Sequence, residues 1–402
     1  MSLNLPSGCA TLFGVGDKPV DQPIHPTEPS RSSAPARPPL LSELTTLGLG
    51  GPARELIRVR TREQVAQAVG GRDVLVLGGG SNLVVADAGV DLPVVKIELG
   101  GITEQPAPDP AAGIVLVTLG AGLVWDDVVA DLTARGYAEL APLSGIPGAV
   151  GATPVQNVGA YGVEIADLLE RVTVFDRASV QIRSVPAADL GLGYRTSVLR
   201  GTDAAVVLDV TFALASPGSI GTVARYPELA RSLNVEPGER ADPAAVREAV
   251  LALRRGKGMV LDPDDPDTRS AGSFFTNPIV PAADAPGVLA AITAKLGDVP
   301  VPQWPAAVPG AAAGDPPGTK LSAAWLIDRA GFGKGFAGPG GRVAISSKHT
   351  LALTNRGGAS TADLVALARQ VRDGVHAAFG VRLEPEPVFV GVSLDDAPVP
   401  SP

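Results

Sequence analysis

The chain has 402 residues, and its 33 basic and 42 acidic side chains leave a formal charge of −9 with histidine neutral. This balance argues against a general nucleic-acid or anionic-membrane binder, which needs a clustered basic surface, while 45% apolar residues suffice for two or three real cores. A single cysteine, Cys9, excludes an internal disulfide and fits a reducing compartment, and three scattered histidines (His25, His349, His376) exclude a zinc cluster of the usual His/Cys kind.

Residues 1–38 are rich in Pro, Ser and Gly, and Pro23, Pro26, Pro29 and Pro35 would interrupt any helix. They predict a flexible tail, with the ordered chain starting near Leu40. No basic region precedes an apolar core and a cleavage site, so no secretion signal is expected and the cytoplasm is the default location. Arg54–Val59 has a strand pattern. Thr61 should cap a helix in a capping box with Gln64, turning Val65 and Val69 inward. Val74–Leu77 is a short apolar strand ended by Gly78-Gly79-Gly80, and Val94–Ile97 is another, completing a small α/β unit.

Ile114–Leu119 predicts a strand and Trp125–Arg135 an amphipathic helix with Val128, Val129 and Leu132 inward and Gly136 as its cap. Leu140–Val163 is uncharged, but five glycines and two prolines in its 143–162 segment rule out a membrane-spanning helix. Strands near Val172–Phe175 and Ala205–Phe212 make this second unit β-rich. Ala244–Arg255 reads as a helix, Val299–Gly318 as a Pro/Gly/Ala-rich surface loop and Leu321–Arg329 as a helix. Ser360 or Thr361 starts the clearest helix, whose stripe of Leu364, Leu367, Ala368, Val371, Val375 and Phe379 ends at Gly380.

Five segments could carry chemistry. In VLVLGGGSNLVV (74–85), three glycines let successive N–H groups converge on one anion, and Ser81 and Asn82 add side-chain donors, which suits a diphosphate. A plain tight turn after a strand fits the same glycines. The dinucleotide fingerprint fails here, because Leu83 replaces its third glycine and no helix opens after Asn82. LSGIPGAVGATPVQNVGAYG (143–162) is a glycine-rich, half-apolar ribbon suited to lie against a flat ligand such as a flavin ring, or to form a buried irregular loop. In GYRTS (193–197), Arg195 beside Tyr194 and Ser197 could clamp a carboxylate with its planar, permanently charged fork. In SAGSFFTNP (270–278), Ser273 sits on a turn backed by aromatics, without the flanking pattern or histidine base of a hydrolase. In RLEPEPVFVG (382–391), Glu384 and Glu386 precede an apolar strand, where burial could raise a carboxyl pKa for acid–base work.

Together with TTLGLGGPA (45–53), KLSAAWLID (320–328) and KHTLALTN (348–355), these segments in this order resemble the UDP-N-acetylenolpyruvoylglucosamine reductase family from about Leu44 to Gly391. The resemblance implies an α+β protein. Its FAD-binding region has two subdomains of the vanillyl-alcohol-oxidase type (39–104 and 105–215), followed by an α/β substrate-binding domain (216–380) and a C-terminal segment (381–402) that carries Glu386. It implies noncovalent FAD, since neither glycine-rich segment holds a histidine, and NADPH as co-substrate. FAD would be held by Gly78, Gly79, Gly80, Ser81 and Asn82, and by Ser144, Gly145, Pro147, Gly148, Gly151, Ala152, Gly159, Ala160 and Tyr161.

In the implied reaction, hydride passes from NADPH through the flavin to C3 of the enolpyruvyl ether, and a proton reaches C2. By resemblance Ser273 donates that proton. Arg195 and Glu386, the latter chosen over Glu384 by its spacing to Val390-Gly391, stabilise the enolate-like carboxylate. Tyr194, Tyr226, Lys257, Asn277 and Lys320 would contact the nucleotide sugar, with Tyr226 closing over it. The expected partners are small molecules, with no metal, nucleic acid or membrane, and the family implies a monomer. Two other readings are a flavin oxidase of the same fold acting on a small alcohol, and a noncatalytic nucleotide-binding protein.

Overall fold

The apolar runs that follow Ala53 pair side by side rather than in hairpins. A computed structural model describes residues 38–308 and 316–395; apart from Pro38, the expected tail, with Cys9 and His25, lies outside the described residues. Strand β1 (Ala53–Val59), helix α1 (Arg62–Val69) and strands β2 (Leu75–Leu77), β3 (Leu83–Val85) and β4 (Val90–Ile97) come first. Strand β4 is central, with β1 and β2 parallel to it on either side. It starts four residues before the predicted Val94 and contains Pro93, opposite an irregularity in β1, the kind of place where a central strand tolerates proline. The expected capping box on α1 is half formed. Thr61 accepts the Gln64 N–H at 3.2 Å, but the Gln64 side chain reaches back to the Arg60 N–H at 2.7 Å.

Next come β5 (Ile102–Pro106), β6 (Ile114–Gly120), α2 (Trp125–Ala134), the small hairpin β7 (Gly159–Ala160) and β8 (Val163–Glu164), then β9 (Leu169–Asp176), β10 (Gln181–Pro186) and β11 (Ala205–Ala215). An antiparallel sheet runs in the order β10-β9-β11-β6-β5. Helix α2 buries Trp125, Val128, Val129 and Leu132 in one core with the sheet, each fully buried side chain contributing about 1.5–3 kcal/mol. The Trp125 ring lies 5.9 Å from Phe212, and its Nε1–H donates to the Leu143 carbonyl at 3.0 Å. The start of the 143–162 ribbon is thereby fixed to the core.

The remaining elements are β12 (Thr222–Val223), α3 (Pro227–Leu233), β13 (Arg240–Ala241), α4 (Pro243–Gly256), β14 (Ile279–Val280), α5 (Ala285–Leu296), β15 (Gln303–Ala306), β16 (Gly318–Leu321), α6 (Ala323–Arg329), β17 (Val343–Ile345), β18 (Leu353–Asn355), α7 (Thr361–Phe379) and β19 (Val388–Val390). Helices α3 and α4 pack Leu229, Val246 and Val250 on Ala141. The predicted stripe of α7 is buried with Phe274, Phe275, Ile327 and Ile345. Two expectations need correction. The stretch read as a surface loop from Val299 contains the edge strand β15, and Leu321 belongs to β16, so α6 begins at Ala323. Residues 309–315 of that stretch lie outside the described residues. Strand β19 packs Phe389 on the C-terminal core, its ring 6.1 Å from Phe274, and pairs in parallel with β3, directly after the 78–82 loop.

Helix α7 starts with a complete capping box. Ser360 accepts from the Asp363 N–H at 3.1 Å and Asp363 accepts from the Ser360 N–H at 3.0 Å. The Arg342 guanidinium pairs with both Asp363 oxygens, at 2.9 and 2.7 Å, and is the main reason its carboxyl falls from an ordinary 3.8 to about 2. A depressed folded-state pKa stabilises the fold above the unfolded value, and that contribution is lost as pH falls through about 2. Asp363→Asn should therefore lower stability at neutral pH by about 1 kcal/mol and flatten the acid decline. Urea unfolding at several pH values below 5 checks this; an unchanged acid slope would refute the assignment.

Candidate active site

The strand–glycine–strand connection of β2 and β3 places Gly78–Asn82 against the 143–162 ribbon. A Cβ on Gly79 would lie 2.5 Å from the Gly148 Cα, so the two loops meet backbone to backbone. Gly80 and Gly148 have φ of +67° and +128°, conformations that favour glycine. The Lys96 ammonium donates to the Gly78 carbonyl. Among the described residues, the N–H groups of Gly79, Gly80, Ser81 and Asn82, and of Gly148 and Ala149 across from them, donate to no protein acceptor. Two glycine loops that present unspent N–H groups to one place fit the diphosphate of FAD. Ser144, Gly145, Gly151 and Ala152, also expected to hold FAD, give their N–H groups to Ala141, Asp126, Ala121 and Ala149, so the diphosphate cradle does not draw on those N–H groups. The Ser144 hydroxyl donates to the Ala141 carbonyl at 2.7 Å.

Arg195 and Glu386 come from distant segments and meet at the far end of the ribbon, and the turn that carries Ser273 is hydrogen-bonded to the Glu386 backbone. Glu386 is placed by β19: its N–H donates to the Phe274 carbonyl at 2.9 Å, next to Ser273, and Phe275 pairs with Pro385. Its Oε1 lies 3.5 Å from Arg195 Nε, with side chains 22% (Arg195) and 16% (Glu386) exposed. Glu384 is 70% exposed and pairs with Arg382 instead. Burial pushes the Glu386 carboxyl up, against the pull of Arg195 and Arg200. Arg195 is held by carbonyls of the ribbon, Nη2 to Gly159 at 3.0 Å and Nη1 to Asn157 at 3.4 Å. Arg195, Asn157 and Tyr161 all have positive φ, at 54°, 45° and 50°. Such conformations cost about 1–3 kcal/mol each and collect at functional sites.

Around this centre, Lys320 Nζ sits 3.4 Å from the Tyr194 ring centroid. Burial and the nearby Arg195 lower the Lys320 pKa, while burial raises that of the Tyr194 phenol, which lies against Asn277. Asn277 Oδ1 accepts the Ala323 N–H at 2.9 Å, tying it to the start of α6. Tyr226 packs edge-on to Tyr161, rings 5.7 Å apart, and remains 45% exposed. Lys257 is 5.9 Å from the Tyr161 ring and pairs with Glu228 at 2.6 Å.

Several residues at the site were missed from sequence. Gln156 joins Asn82 to Glu386, and the buried Asn157 carries the carbonyl that holds Arg195. The Thr46 hydroxyl lies 3.3 Å from the Ser81 carbonyl and 3.1 Å from that of Ser270, bridging the glycine loop and the Ser273 turn. Arg254 Nε is buried without a partner. His349 is held neutral, its pKa lowered to about 4 by burial and by Lys257, Lys334 and Arg254. The signal for the first two was present: Gln156-Asn157 is an amide pair inside an otherwise small and apolar ribbon.

Among the described residues, no group of three or more His, Cys, Asp or Glu side chains could hold a metal, and no helix is long and apolar enough to cross a membrane. Two facing glycine loops with unspent N–H groups, one of which reaches the Glu386 backbone through Asn82, and an FAD-binding domain pattern matched over residues 53–184 define a flavin-dependent oxidoreductase. Residues 264–390 match the pattern of the UDP-N-acetylenolpyruvoylglucosamine reductase C-terminal domain. Enzymes of that name from Saccharopolyspora erythraea and Mycobacterium tuberculosis are 58% and 50% identical, each over 88% of this chain and 95% of its own length. The crystal structure of the Thermus caldophilus UDP-N-acetylenolpyruvylglucosamine reductase superposes with a TM-score of 0.58 at 27% identity, covering 87% of this chain and 97% of that one. The chain belongs to the UDP-N-acetylenolpyruvoylglucosamine reductase family. Its fold is an α+β assembly of an FAD-binding region and a C-terminal substrate-binding domain.

Proposed function

We propose that Arg195, Ser273 and Glu386 carry the chemistry of this enzyme, an NADPH-dependent reductase that converts UDP-N-acetylglucosamine enolpyruvate to UDP-N-acetylmuramate in peptidoglycan precursor synthesis. The observation that carries the assignment is the 3.5 Å Arg195–Glu386 pair, whose carboxyl segment is hydrogen-bonded to the residue after Ser273. FAD, which Gly78–Asn82, Pro147 and Gly148 would hold, would supply hydride transfer between NADPH and C3 of the enolpyruvyl group. Arg195 supplies a fixed positive charge where the substrate carboxylate gains electron density, a contribution of about 3 kcal/mol for one well-placed donor. Glu386, whose carboxyl pKa burial pushes up against the pull of Arg195, pairs with that guanidinium and orients it with the substrate carboxylate. Ser273 gives its hydroxyl proton to C2, and the basicity of the carbanion-like centre compensates for the weakness of serine as an acid.

In this reading FAD lies between 39–104 and 105–215, and the nucleotide sugar lies against 216–380, with 381–402 delivering Glu386. Gly78–Asn82, Pro147 and Gly148 hold the diphosphate of FAD, with Gly159, Ala160 and Tyr161 nearer the flavin. Tyr194, Tyr226, Lys257, Asn277 and Lys320 hold the nucleotide sugar, with Tyr226 closing over it. The reading extends to a monomer acting in the cytoplasm. The purified protein should be yellow, and its NADPH oxidation should require the enolpyruvyl sugar nucleotide. NADPH oxidation that ignores that substrate would overturn the reading.

A further inference from the structure

Gln156 sits between the cofactor loop and Glu386, and its orientation follows from its neighbours. Asn82 approaches both the Glu386 backbone carbonyl, at 3.3 Å, and the Gln156 amide, at 2.9 Å, with the same terminal atom. A carbonyl only accepts, so that atom is the Asn82 nitrogen. The Gln156 atom facing it is therefore the amide oxygen, and its Nε2 must point the other way, at Glu386 Oε1, 3.2 Å distant. Arg195 Nε lies 3.5 Å from the same Oε1, an ion pair. Oε1 therefore accepts the Gln156 hydrogen bond and faces the Arg195 charge, and among the described residues Oε2 accepts no hydrogen bond.

We propose that Gln156 is a positioning residue for the reduction: its N–H pins Oε1 of Glu386 and leaves Oε2 as the oxygen presented to the substrate side. A carboxyl whose Oε1 accepts the Gln156 N–H cannot swing away from Arg195 without giving up that hydrogen bond. Asn82 fixes the amide and belongs to the loop that cradles the cofactor, so Glu386 is oriented from the cofactor side of the pocket. The inference rests on the role of Glu386 proposed above.

Two variants test it in the flavin-loaded enzyme. Gln156→Leu removes the donor at every pH. Gln156→Glu keeps the size and the acceptor toward Asn82, but it can donate to Oε1 only when protonated. Flavin reduction by NADPH, and reoxidation of the reduced enzyme by the enolpyruvyl sugar nucleotide, are followed separately across pH, together with flavin retention and melting temperature. Both variants should keep FAD and react with NADPH as the parent does. Gln156→Leu should slow reoxidation by about 10²-fold throughout, the effect of a misplaced group. Gln156→Glu should match it at high pH and recover toward the parent as pH falls to about 5, where a carboxyl regains its proton. The groups around Glu386, namely Arg195, Arg200 and Tyr194, are common to both variants, so a pH dependence seen only in Gln156→Glu belongs to position 156. Identical behaviour of the two variants at every pH, equal loss in both half-reactions, or loss of FAD would each overturn the proposal. A parent enzyme that the sugar nucleotide does not reoxidise would instead overturn the reading of Glu386 on which it rests.

Discussion

Ser273→Ala should leave flavin reduction by NADPH at the parent rate and slow transfer to the enolpyruvyl substrate by about 10²–10⁴-fold, the usual worth of a positioned acid. The turn that carries Ser273 is held from both sides. The next residue, Phe274, donates its N–H to the Leu351 carbonyl at 2.8 Å and accepts the Glu386 N–H at 2.9 Å. The Phe274 and Phe275 rings are buried and pack edge to face, 5.2 Å between centroids. Gly272 enters the turn at φ +75°, which alanine at position 273 does not disturb. Among the described residues the Ser273 hydroxyl has no hydrogen-bond partner, so removing it strands no buried group and changes the chemistry alone. Stopped-flow traces of the two half-reactions decide the matter. Equal slowing of both would make Ser273 structural, and slowing of neither would remove it from the mechanism.

Much of this architecture was legible because it depends on neighbours in sequence. Ser360, the stripe of α7 and Gly380 set a helix by capping and 3.6-residue periodicity, and the helix runs from Thr361 to Phe379 as read. Gly78–Gly80 ends β2 by local conformational freedom. The illegible parts depend on distant partners. Glu384 and Glu386 stand in near-identical Pro-flanked settings. The spacing to Val390-Gly391 favours Glu386, but what turns it toward Arg195 and leaves Glu384 in solvent is the pairing of β19 with β3, some 300 residues earlier, together with the bond from the Glu386 N–H to Phe274. The positive φ of Arg195 belongs to the tight turn that the Gly193–Thr196 hydrogen bonds close, but the aim of its guanidinium depends on the distant ribbon carbonyls of Asn157 and Gly159. Strand β15 was hidden by its own composition, since Gln-Trp-Pro-Ala reads as loop and Pro305 is tolerated only because β15 is an edge.

Gly79→Ala should yield a protein that folds but is purified largely colourless. The added methyl would lie 2.5 Å from the Gly148 Cα, 2.7 Å from its carbonyl carbon and 2.8 Å from the Ala149 nitrogen. All three are backbone atoms, so no side chain can rotate away, and the loops must separate. Overpacking of this kind costs about 1–3 kcal/mol, which a chain with several independent cores should survive, because none of them includes Gly79. Cofactor binding would suffer more. The cradle needs N–H groups of Gly79–Asn82 and of Gly148–Ala149 to face a single anion, and a displacement of about 1 Å is enough to take a hydrogen bond out of range. Gly78→Ala is the matched control. A methyl there would rest 3.7 Å from the Ala149 Cβ and 3.8 Å from that of Ala152, ordinary contacts, so that variant should stay yellow. Flavin absorbance per mole of protein, with far-ultraviolet circular dichroism as the check on folding, separates the two. If Gly79→Ala retains a full complement of FAD, the facing loops are not the diphosphate site, and the ribbon then serves only as packing.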